Sequence, residues 1–507
     1  VKEMSLLKRV EFERVTPESV GIPSQAIENL LDKLESGVTE PHGLMIMRQG
    51  KICAEGWWSP YAPGIRHGLQ SHTKTYAATA VGILYTEGLV RLDERIIDIF
   101  PDEAPENPSE NLKKLTVHHV LSMGCGMETM PRPSKDWIRD FLATPVVHEP
   151  GTAYMYNSTG STLLGAIVRK KTGLGLHDYL KPRLFDKIGI DADNLRWIYM
   201  PDGMEIGGGG LYATTEDNLR LMKLYADGGV WEGERILAED YVRLATTLQN
   251  DSASEVNVNP PAKDNFVGYG YQIWMCRPKG VYRADGAMGQ FTIVVPDRDM
   301  IIAITENAAG STGGVAPQAV LDIMWEFLDE VPYDKQLPEN PEASARLKKR
   351  MARLALPNPV FAPFSPTRPL IDGKKFKVTA GTFTLGDTMG AFMSGGRMPS
   401  SIEEFSISFS SYHARMDYTQ DGKENHIEIA LDGSRSFNTI GTGAATIALA
   451  SGAWVADDTF RLALRWVETC HERVFEFKFA DNEVTITPVG LFFFGRKPED
   501  IKAVLTA

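Results

Sequence analysis

The chain has 507 residues and a composition that is typical of a globular protein with several domains. Its 53 basic and 66 acidic side chains give a net charge of −13 and form no basic block, which excludes nucleic-acid binding as the main function. The hydrophobic content of 43% and the aromatic content of 9% exclude disorder as the dominant state.

The first predicted elements are a helix and a β-hairpin. The helix is predicted over 18–36, where apolar residues recur at helical spacing. Strands over 43–47 and 52–57 flank a short turn that contains Gly50, which is typical of a hairpin. From about 71 to 250 the pattern is mostly helical.

Strand signals return after this helical region. The predicted strands cover 269–275, 280–284, 290–295 and 300–305, and a helix over 316–329 follows them. An antiparallel sheet that begins near the N-terminus and ends in these strands, with the terminal helices on one face, is an α+β layered domain. We therefore predict a first domain over 1–330, with a helical insertion at about 71–250.

The C-terminal part has a different character. Residues 331–365 are rich in proline and charge and predict a linker, with a short helix over 343–354. Short alternating strands follow, at 375–380, 406–410, 427–431, 459–466, 474–480 and 484–488. This pattern predicts a second, all-β domain over 366–507 that resembles a small closed barrel.

Several features bear on compartment and cofactors. The four cysteines are far apart and form no CxxC pair, so we predict no metal site, no other cofactor and no dense disulfide framework. No segment has the roughly 18 uninterrupted apolar residues of a membrane helix. Residues 1–9 lack the apolar core of a secretory signal. The sequence therefore predicts a cytoplasmic protein with no membrane or nucleic-acid partner, although a signal removed before Val1 would leave no trace.

The first candidate for chemistry is a serine and a lysine at the start of an apolar helix. Ser71 and Lys74 are three residues apart and so share one face of that helix. A lysine in apolar surroundings loses solvation, its pKa falls, and it can accept a proton from a nearby hydroxyl. The spacing alone is common, and an ordinary helix start is the alternative.

Two further segments supply polar groups. A loop with Pro150 and Gly151 precedes Tyr156, which could relay a proton or simply anchor the loop on the core. Between two predicted strands, Gly286 would let the backbone lie close to a ligand, and a strand-edge N–H there could complete an oxyanion hole with the N–H of Ser71. A glycine-rich bulge is the alternative.

The three segments occur in the order of a known superfamily. Ser71-His72-Thr73-Lys74 resembles its SxxK motif, Tyr156-Asn157-Ser158 resembles its YxN or YxS motif, and Ala284-Asp285-Gly286 stands where relatives have KTG or HxG. The chain thus resembles penicillin-binding proteins and serine β-lactamases over about 15–330, nearest to class C β-lactamase-like hydrolases. The glycines of 208–210 and the segment after them add to this similarity. The C-terminal part more weakly resembles the barrel domains of some D-aminopeptidases.

The resemblance implies a role for each matching catalytic residue. Ser71 would be the acylated nucleophile. Lys74 would be its base, or the group that holds Tyr156 ionised. Tyr156 would pass the proton to the leaving group. The backbone N–H groups of Ser71 and Ala287 would form the oxyanion hole.

The resemblance also implies binding residues, with two departures. Ser158, preceded by Asn157, would bridge Lys74 and substrate, in the reverse order of the usual Ser-Asn pair. Ala284 replaces the lysine that attracts the substrate carboxylate in penicillin-recognising relatives. Asp285 could instead accept a substrate ammonium.

The flanking residue Arg283 could replace the missing cation. The alternative is that Arg283 and Asp285 simply form a salt bridge on the strand edge.

We therefore predict a serine hydrolase that cleaves a small ester, amide or short peptide, for example a D-amino-acid peptide, through an acyl-enzyme on Ser71. The alternatives are a β-lactamase or DD-peptidase proper, which the absent third-motif lysine disfavours, and a non-catalytic ligand-binding or sensor protein on the same scaffold. The β-domain could add binding, cover the site or mediate assembly into a homo-oligomer.

Overall fold

The chain divides into two compact units. The structure is a computed structural model that describes residues 10–254, 263–308, 316–386, 388–395, 399–441, 443–489 and 499–506. Residues 1–9, on which the prediction of no secretory signal rests, lie outside the described residues. The first unit contains 1–355 with 393–395, and the second contains 356–392 with 396–507. The division at 355/356 lies inside the segment predicted to be a linker.

The described helices are named in chain order. They are α1 (Ser24–Lys33), α2 (Thr73–Thr86), α3 (Ile96–Ile99), α4 (Glu110–Lys114), α5 (Val117–Leu121), α6 (Trp137–Ala143), α7 (Ser158–Thr172), α8 (Leu176–Leu180), α9 (Asp186–Ile188), α10 (Thr215–Ala226), α11 (Glu239–Ala245), α12 (Ala316–Glu330), α13 (Pro341–Met351), α14 (Arg368–Ile371) and α15 (Thr388–Met393). Short 3₁₀ or π turns occur at Glu18–Val20, Leu34–Val38, Gln70–His72, Lys181–Phe185, Ser252–Ser254, Lys263–Phe266 and Pro296–Arg298.

The described strands are named in the same way. They are β1 (Glu40–Arg48), β2 (Lys51–Trp57), β3 (His67–Gly68), β4 (Arg196–Trp197), β5 (Leu211–Ala213), β6 (Val230–Trp231), β7 (Glu234–Arg235), β8 (Trp274–Met275), β9 (Tyr282–Gly286), β10 (Gln290–Val295), β11 (Met300–Asn307), β12 (Lys375–Ala380), β13 (Ile402–Ser410), β14 (His413–Gln420), β15 (Lys423–Ala430), β16 (Ser436–Thr439), β17 (Ile447–Ala456), β18 (Thr459–Trp466), β19 (Glu472–Ala480), β20 (Glu483–Val489) and β21 (Ile501–Leu505).

The first unit is built on one antiparallel sheet. Its strand order is β2-β1-β11-β10-β9-β8, so the N-terminal hairpin pairs with the last strand of the unit. The long segment between β2 and β8 contains the helices α2 to α11 and only short strands. This arrangement confirms the predicted α+β domain with a helical insertion.

The start of the first helix was predicted wrongly. The structure begins α1 at Ser24 rather than at residue 18. Pro23, just before the helix, is extended, with ψ 129°, and Gly21 adopts a left-handed φ of 81°. These two residues separate the short 3₁₀ turn Glu18–Val20 from α1, so the continuous apolar spacing does not become one helix.

Helix α13 lies inside the predicted linker and packs on α1. The guanidinium of Arg346 donates to the carboxylate of Glu28 at 2.6 Å, and Ser344 Oγ donates to Glu18 at 2.8 Å. Leu347 of α13 is buried. This part of the segment therefore belongs structurally to the first unit.

The second unit is a closed β-barrel, as the alternating pattern predicted. Its strands follow the order β15-β14-β13-β12-β21-β20-β19-β18-β17-β16, and a parallel bridge between Ala430 and Ser451 joins β15 to β17. Aromatic side chains fill the interior; the ring of Phe477, for example, lies 5.7 Å from those of Phe383 and Phe405. The barrel core is thus made of packed side chains.

Candidate active site

Ser71 lies in a short turn at the start of a buried helix. The 3₁₀ turn Gln70–His72 runs directly into α2, whose first twelve residues are all buried. Ser71 itself is partly exposed. The preceding residue, Gln70, has φ 51°, a left-handed conformation that is unusual for a residue other than glycine and costs free energy. The chain thus presents the serine hydroxyl at the end of a rigid element.

Lys74 lies one turn further along α2 and contacts three acceptors. Its Nζ donates to Ser71 Oγ at 2.9 Å, to Ser158 Oγ at 3.0 Å and to the backbone carbonyl of Gly208. These acceptors use all three N–H bonds of an ammonium group. Lys74 is only 1% exposed. Burial lowers its pKa to about 7, while the nearby carboxylate of Asp285 acts in the opposite sense.

Tyr156 lies beside Lys74 in an aromatic wall. Its ring stacks on Trp274, with centroids 5.6 Å apart and planes 22° apart, and meets the edge of Tyr269. Lys74 Nζ lies 4.7 Å from the centre of the Tyr156 ring. The proximity of a cation and an aromatic face is itself favourable. The structure therefore brings together the serine, lysine and tyrosine that the sequence analysis selected.

Asn157 and Ser158 form the start of α7. Asn157 is buried, and its side-chain oxygen accepts a hydrogen bond from Gly160 N at 2.8 Å, which caps the helix. Ser158 directs its hydroxyl at Lys74, as described above. The two adjacent polar residues thus have different environments: Asn157 holds the helix start, and Ser158 faces the lysine.

The third segment forms β9 and the turn to β10. Arg283 is 0% exposed, and its guanidinium donates to Asp285 at 2.8 Å and to Asn265 at 2.7 Å. The Asp285 side chain is 20% exposed. Burial raises the pKa of Asp285, and the guanidinium of Arg283 opposes that shift. This geometry favours the salt-bridge interpretation of Arg283, while Asp285 stays partly accessible and close enough to influence Lys74.

The turn after β9 lies against the segment that leads to Ser71. A Cβ atom added to Gly286 would lie 2.1 Å from the carbonyl oxygen of Leu69, so only glycine allows this approach. The next residue, Ala287, is exposed. The buried carboxamide of Gln290 donates to the carbonyls of Ala287 and Glu306, at 3.3 and 2.6 Å. The close approach of Gly286 to Leu69 and the hydrogen bonds of Gln290 thus hold the turn after β9 in place next to Ser71.

A family model described as beta-lactamase matches residues 32–323, which is more than half of the chain. The chain belongs to the beta-lactamase family. The matched range includes all three motif segments. Members of this family are hydrolases of the beta-lactamase fold and typically use a serine.

Individual relatives of the beta-lactamase family agree with this assignment. Penicillin-binding protein 4 of Amycolatopsis lactamdurans is 27% identical in an alignment that covers 59% of this chain and 82% of that protein. The 6-aminohexanoate-dimer hydrolase of Paenarthrobacter ureafaciens is 26% identical, over 45% of this chain and 63% of that protein. A solved penicillin-binding protein homologue from Caulobacter crescentus has a TM-score of 0.50 at 18% identity, covering 63% of this chain and 100% of that chain, which shows a shared fold.

Two groups at this candidate site were missed by sequence reasoning. The Gly208 carbonyl accepts from Lys74, and a Cβ atom on Gly208 would lie 2.4 Å from the Ser158 carbonyl oxygen. The glycine run was the available signal, but it does not reveal which carbonyl is used. Gln290 was also missed, because nothing in the sequence shows that its carboxamide reaches back to the turn.

Within the described ranges, His, Cys, Asp and Glu form no group of three or more that could bind a metal ion. His72, inside the first motif, turns toward the sheet and lies 2.9 Å from Thr292 Oγ1, and burial lowers its pKa to about 4. Among the helices that the structure describes, none combines the length and apolar character needed to cross a bilayer.

Proposed function

We propose that this chain is a serine hydrolase that cleaves a small ester or amide through an acyl-enzyme formed on Ser71. The observation that carries the proposal is the 2.9 Å contact between Lys74 Nζ and Ser71 Oγ. Burial holds the pKa of this lysine at about 7. A base with that pKa is partly neutral at physiological pH, so a proton acceptor lies beside the hydroxyl that it must activate.

Acylation follows from these contacts. Ser71 Oγ forms a bond to the substrate carbonyl carbon, and its proton passes to the neutral amine of Lys74. The carbonyl oxygen becomes an oxyanion, which the backbone N–H groups of Ser71 and Ala287 stabilise by donating hydrogen bonds. The bond to the leaving alcohol or amine then breaks, and that group takes a proton by way of Tyr156.

Deacylation uses the same residues with water as the nucleophile. Water loses a proton to the base and attacks the acyl carbon, the bond to Ser71 Oγ breaks, and Ser71 recovers its proton. Ser158 supports both steps because its hydroxyl accepts from Lys74 at 3.0 Å and so fixes the direction of the amine. Uncharged Lys74 has two N–H bonds and one lone pair, which leaves it able to accept the proton.

Asp285 supports an amide substrate that carries a free amine. Its carboxylate is partly exposed on the strand that leads to Ala287, and it acts electrostatically on Lys74. A substrate ammonium near the scissile bond would face this negative charge. The relative named for hydrolysing the 6-aminohexanoate dimer is consistent with such a substrate. A small ester needs fewer binding contacts than such an amide, and the same mechanism would cleave it.

A β-lactam or D-alanyl-D-alanine substrate is the second candidate, and the likeness to a penicillin-binding protein favours it. The third motif argues against it. Ala284 has no charge to attract a substrate carboxylate, and the nearest candidate cation, Arg283, is buried and paired with Asp285. We therefore place this candidate below the ester or amide.

The direct test is covalent labelling of the native protein with a fluorophosphonate, followed by peptide mass spectrometry. We expect a single adduct on the peptide that contains Ser71, because Lys74 Nζ lies 2.9 Å from its partly exposed hydroxyl. The heat-denatured protein is the control and should not react. An adduct on another serine, or equal labelling after denaturation, would contradict the proposal. A fluorescent penicillin in the same assay distinguishes the second candidate.

The pH dependence gives an independent check on Lys74. Its neutral form is the active base, so kcat/KM for an ester should rise with pH and level off above about 7, the value to which burial lowers its pKa. Since Asp285 raises that pKa, Asp285→Asn should move the inflection to lower pH. The measurement is the pH profile of kcat/KM for both proteins. A flat profile, or an inflection that does not move in the variant, would be inconsistent with this role.

A further inference from the structure

Methionine sulfurs surround the start of α7, next to the proposed catalytic residues. Met123 Sδ accepts from Asn157 N at 3.1 Å, Met127 Sδ lies 3.7 Å from Asn157 Nδ2, and Met130 Sδ accepts from Ser158 N at 3.0 Å. The first N–H groups of a helix have no partner within the helix itself. Here, thioether sulfur, a weak acceptor, takes two backbone N–H groups of the motif.

One residue, Ser158, connects Met130 to Lys74 of the proposed active site. Ser158 donates its backbone N–H to Met130 Sδ, and its hydroxyl accepts from Lys74 Nζ at 3.0 Å. The sulfur therefore helps to hold the residue that orients the base. A shift of the Ser158 backbone moves its hydroxyl relative to Lys74.

Met130 differs from its two neighbours in exposure. Met130 is 44% exposed as a residue, whereas Met123 and Met127 are each 1% exposed. Small oxidants in solution can reach Met130 directly, while the protein covers the other two sulfurs. Oxidation of methionine to the sulfoxide turns an apolar, flexible side chain into a polar one, and dedicated reductases reverse it.

We propose that Met130 is a redox modification site, at which a hydroperoxide slows the hydrolase by forming the sulfoxide. The Met130 sulfur attacks the terminal oxygen of hydrogen peroxide, an S–O bond forms, the O–O bond breaks, and water leaves. The sulfur is oxidised by two electrons and the peroxide is reduced by two. The activity part of this inference rests on the proposed function.

The consequence for Ser158 follows from the change in charge at sulfur. A sulfoxide sulfur carries partial positive charge, so it no longer accepts from the Ser158 N–H, and the new oxygen is a much stronger acceptor than the thioether. The side chain must turn to offer that oxygen or leave the N–H without its partner. Either change moves Ser158, and a small misplacement of a positioning group lowers turnover by on the order of tenfold to a hundredfold.

The test compares wild type with Met130→Leu before and after hydrogen peroxide, using an ester substrate. The measured quantity is the ratio of treated to untreated kcat/KM, so any effect of leucine on the basal rate cancels. Peptide mass spectrometry follows oxygen addition at Met130, with the buried Met416, which is 0% exposed, as an internal reference. We expect wild type to lose activity in step with Met130 oxidation, Met130→Leu to keep its activity, and methionine sulfoxide reductase to restore wild type.

A second variant and a second readout keep the two proposals separate. Met130→Gln places an amide near the position of the sulfoxide and should be slow without oxidant. Hydrogen exchange at the Ser158 amide should become faster when Met130 is oxidised, and this needs no turnover. Untreated wild type without hydrolase activity would count against the proposed function, and exchange alone would then decide the redox inference. Full activity with Met130 completely oxidised, equal losses in Met130→Leu, or unchanged exchange would overturn the inference.

Discussion

A Ser71→Ala variant is expected to lose about four to six orders of magnitude in kcat while keeping its fold. The substitution removes the oxygen that forms the acyl bond, and the methyl group of alanine cannot replace it. The side chain is small and partly exposed, so packing around α2 should change little. The measurements are steady-state hydrolysis of an ester and thermal unfolding of both proteins.

A matched control for Ser71 is available on the same unit. Ser134 is also partly exposed, and its hydroxyl donates to Asp140 on the surface. Ser134→Ala should retain wild-type turnover and wild-type thermal stability. Substantial activity in Ser71→Ala would remove Ser71 from the role of nucleophile, and a large fall in its melting temperature would leave a folding defect as the cause of the loss.

Lys74→Met and Tyr156→Phe are each expected to lower kcat/KM by about two to four orders of magnitude. Methionine is unbranched and only one atom shorter than lysine, but it cannot act as the base or donate to Ser158. Phenylalanine keeps the ring that stacks on Trp274 and removes only the phenol. Because the two groups handle the same proton, the double variant should be no worse than about the poorer single variant.

A double-mutant cycle with labelling measures this coupling. Lys170, which is exposed and lies near Asp102, provides the control Lys170→Met, expected to behave as wild type. Fluorophosphonate labelling of Ser71 should slow in Lys74→Met more than in Tyr156→Phe, since Lys74 contacts Ser71 directly. If the two losses instead multiply in the double variant, Lys74 and Tyr156 act independently.

The sequence predicted the elements whose residue pattern is local. The predicted bounds of β10, β12 and β18 match the structure to the residue, because each is a run of β-formers between turn signals. The strand predicted over 269–275 shrinks to β8 at Trp274–Met275. Gln272 interrupts it with a φ of 57°, and its carboxamide bonds to the Leu121 carbonyl instead. That partner is distant in sequence, so no local pattern could indicate it.

In the second unit, too, the sequence fails to predict an element that depends on contacts between distant residues. Strand β17 was missed, although it is ten residues long, because its alanines, glycine and serine weaken the signal of alternating large apolar residues. Gly452 in this strand has a packing reason, since a Cβ atom there would lie 2.4 Å from the ring of Phe460. Glycine thus stands where an aromatic ring of the neighbouring strand β18 lies against the backbone of β17, and this choice depends on tertiary structure.

At the candidate site, the sequence predicted side chains better than backbone groups. The three-residue spacing of Ser71 and Lys74, across the 3₁₀ turn that leads into α2, is a local property, and it places their polar atoms in contact. The Gly208 carbonyl and the methionine sulfurs near α7 have no sequence signature, because any residue has a carbonyl and methionine is usually a core residue. Contacts of this kind come only from the fold.

The pairing of β1 with β11 has a consequence for how the chain folds. Glu40 pairs with Asn307, although the two residues are far apart along the chain. The centre of the sheet therefore joins segments that are synthesised far apart in time. Contacts of such long range slow folding. While the ribosome makes the intervening helices, the β1–β2 hairpin carries an apolar edge with open N–H and C=O groups, which invites pairing between nascent chains. Aggregation during expression should therefore depend on how soon β11 arrives to cover that edge.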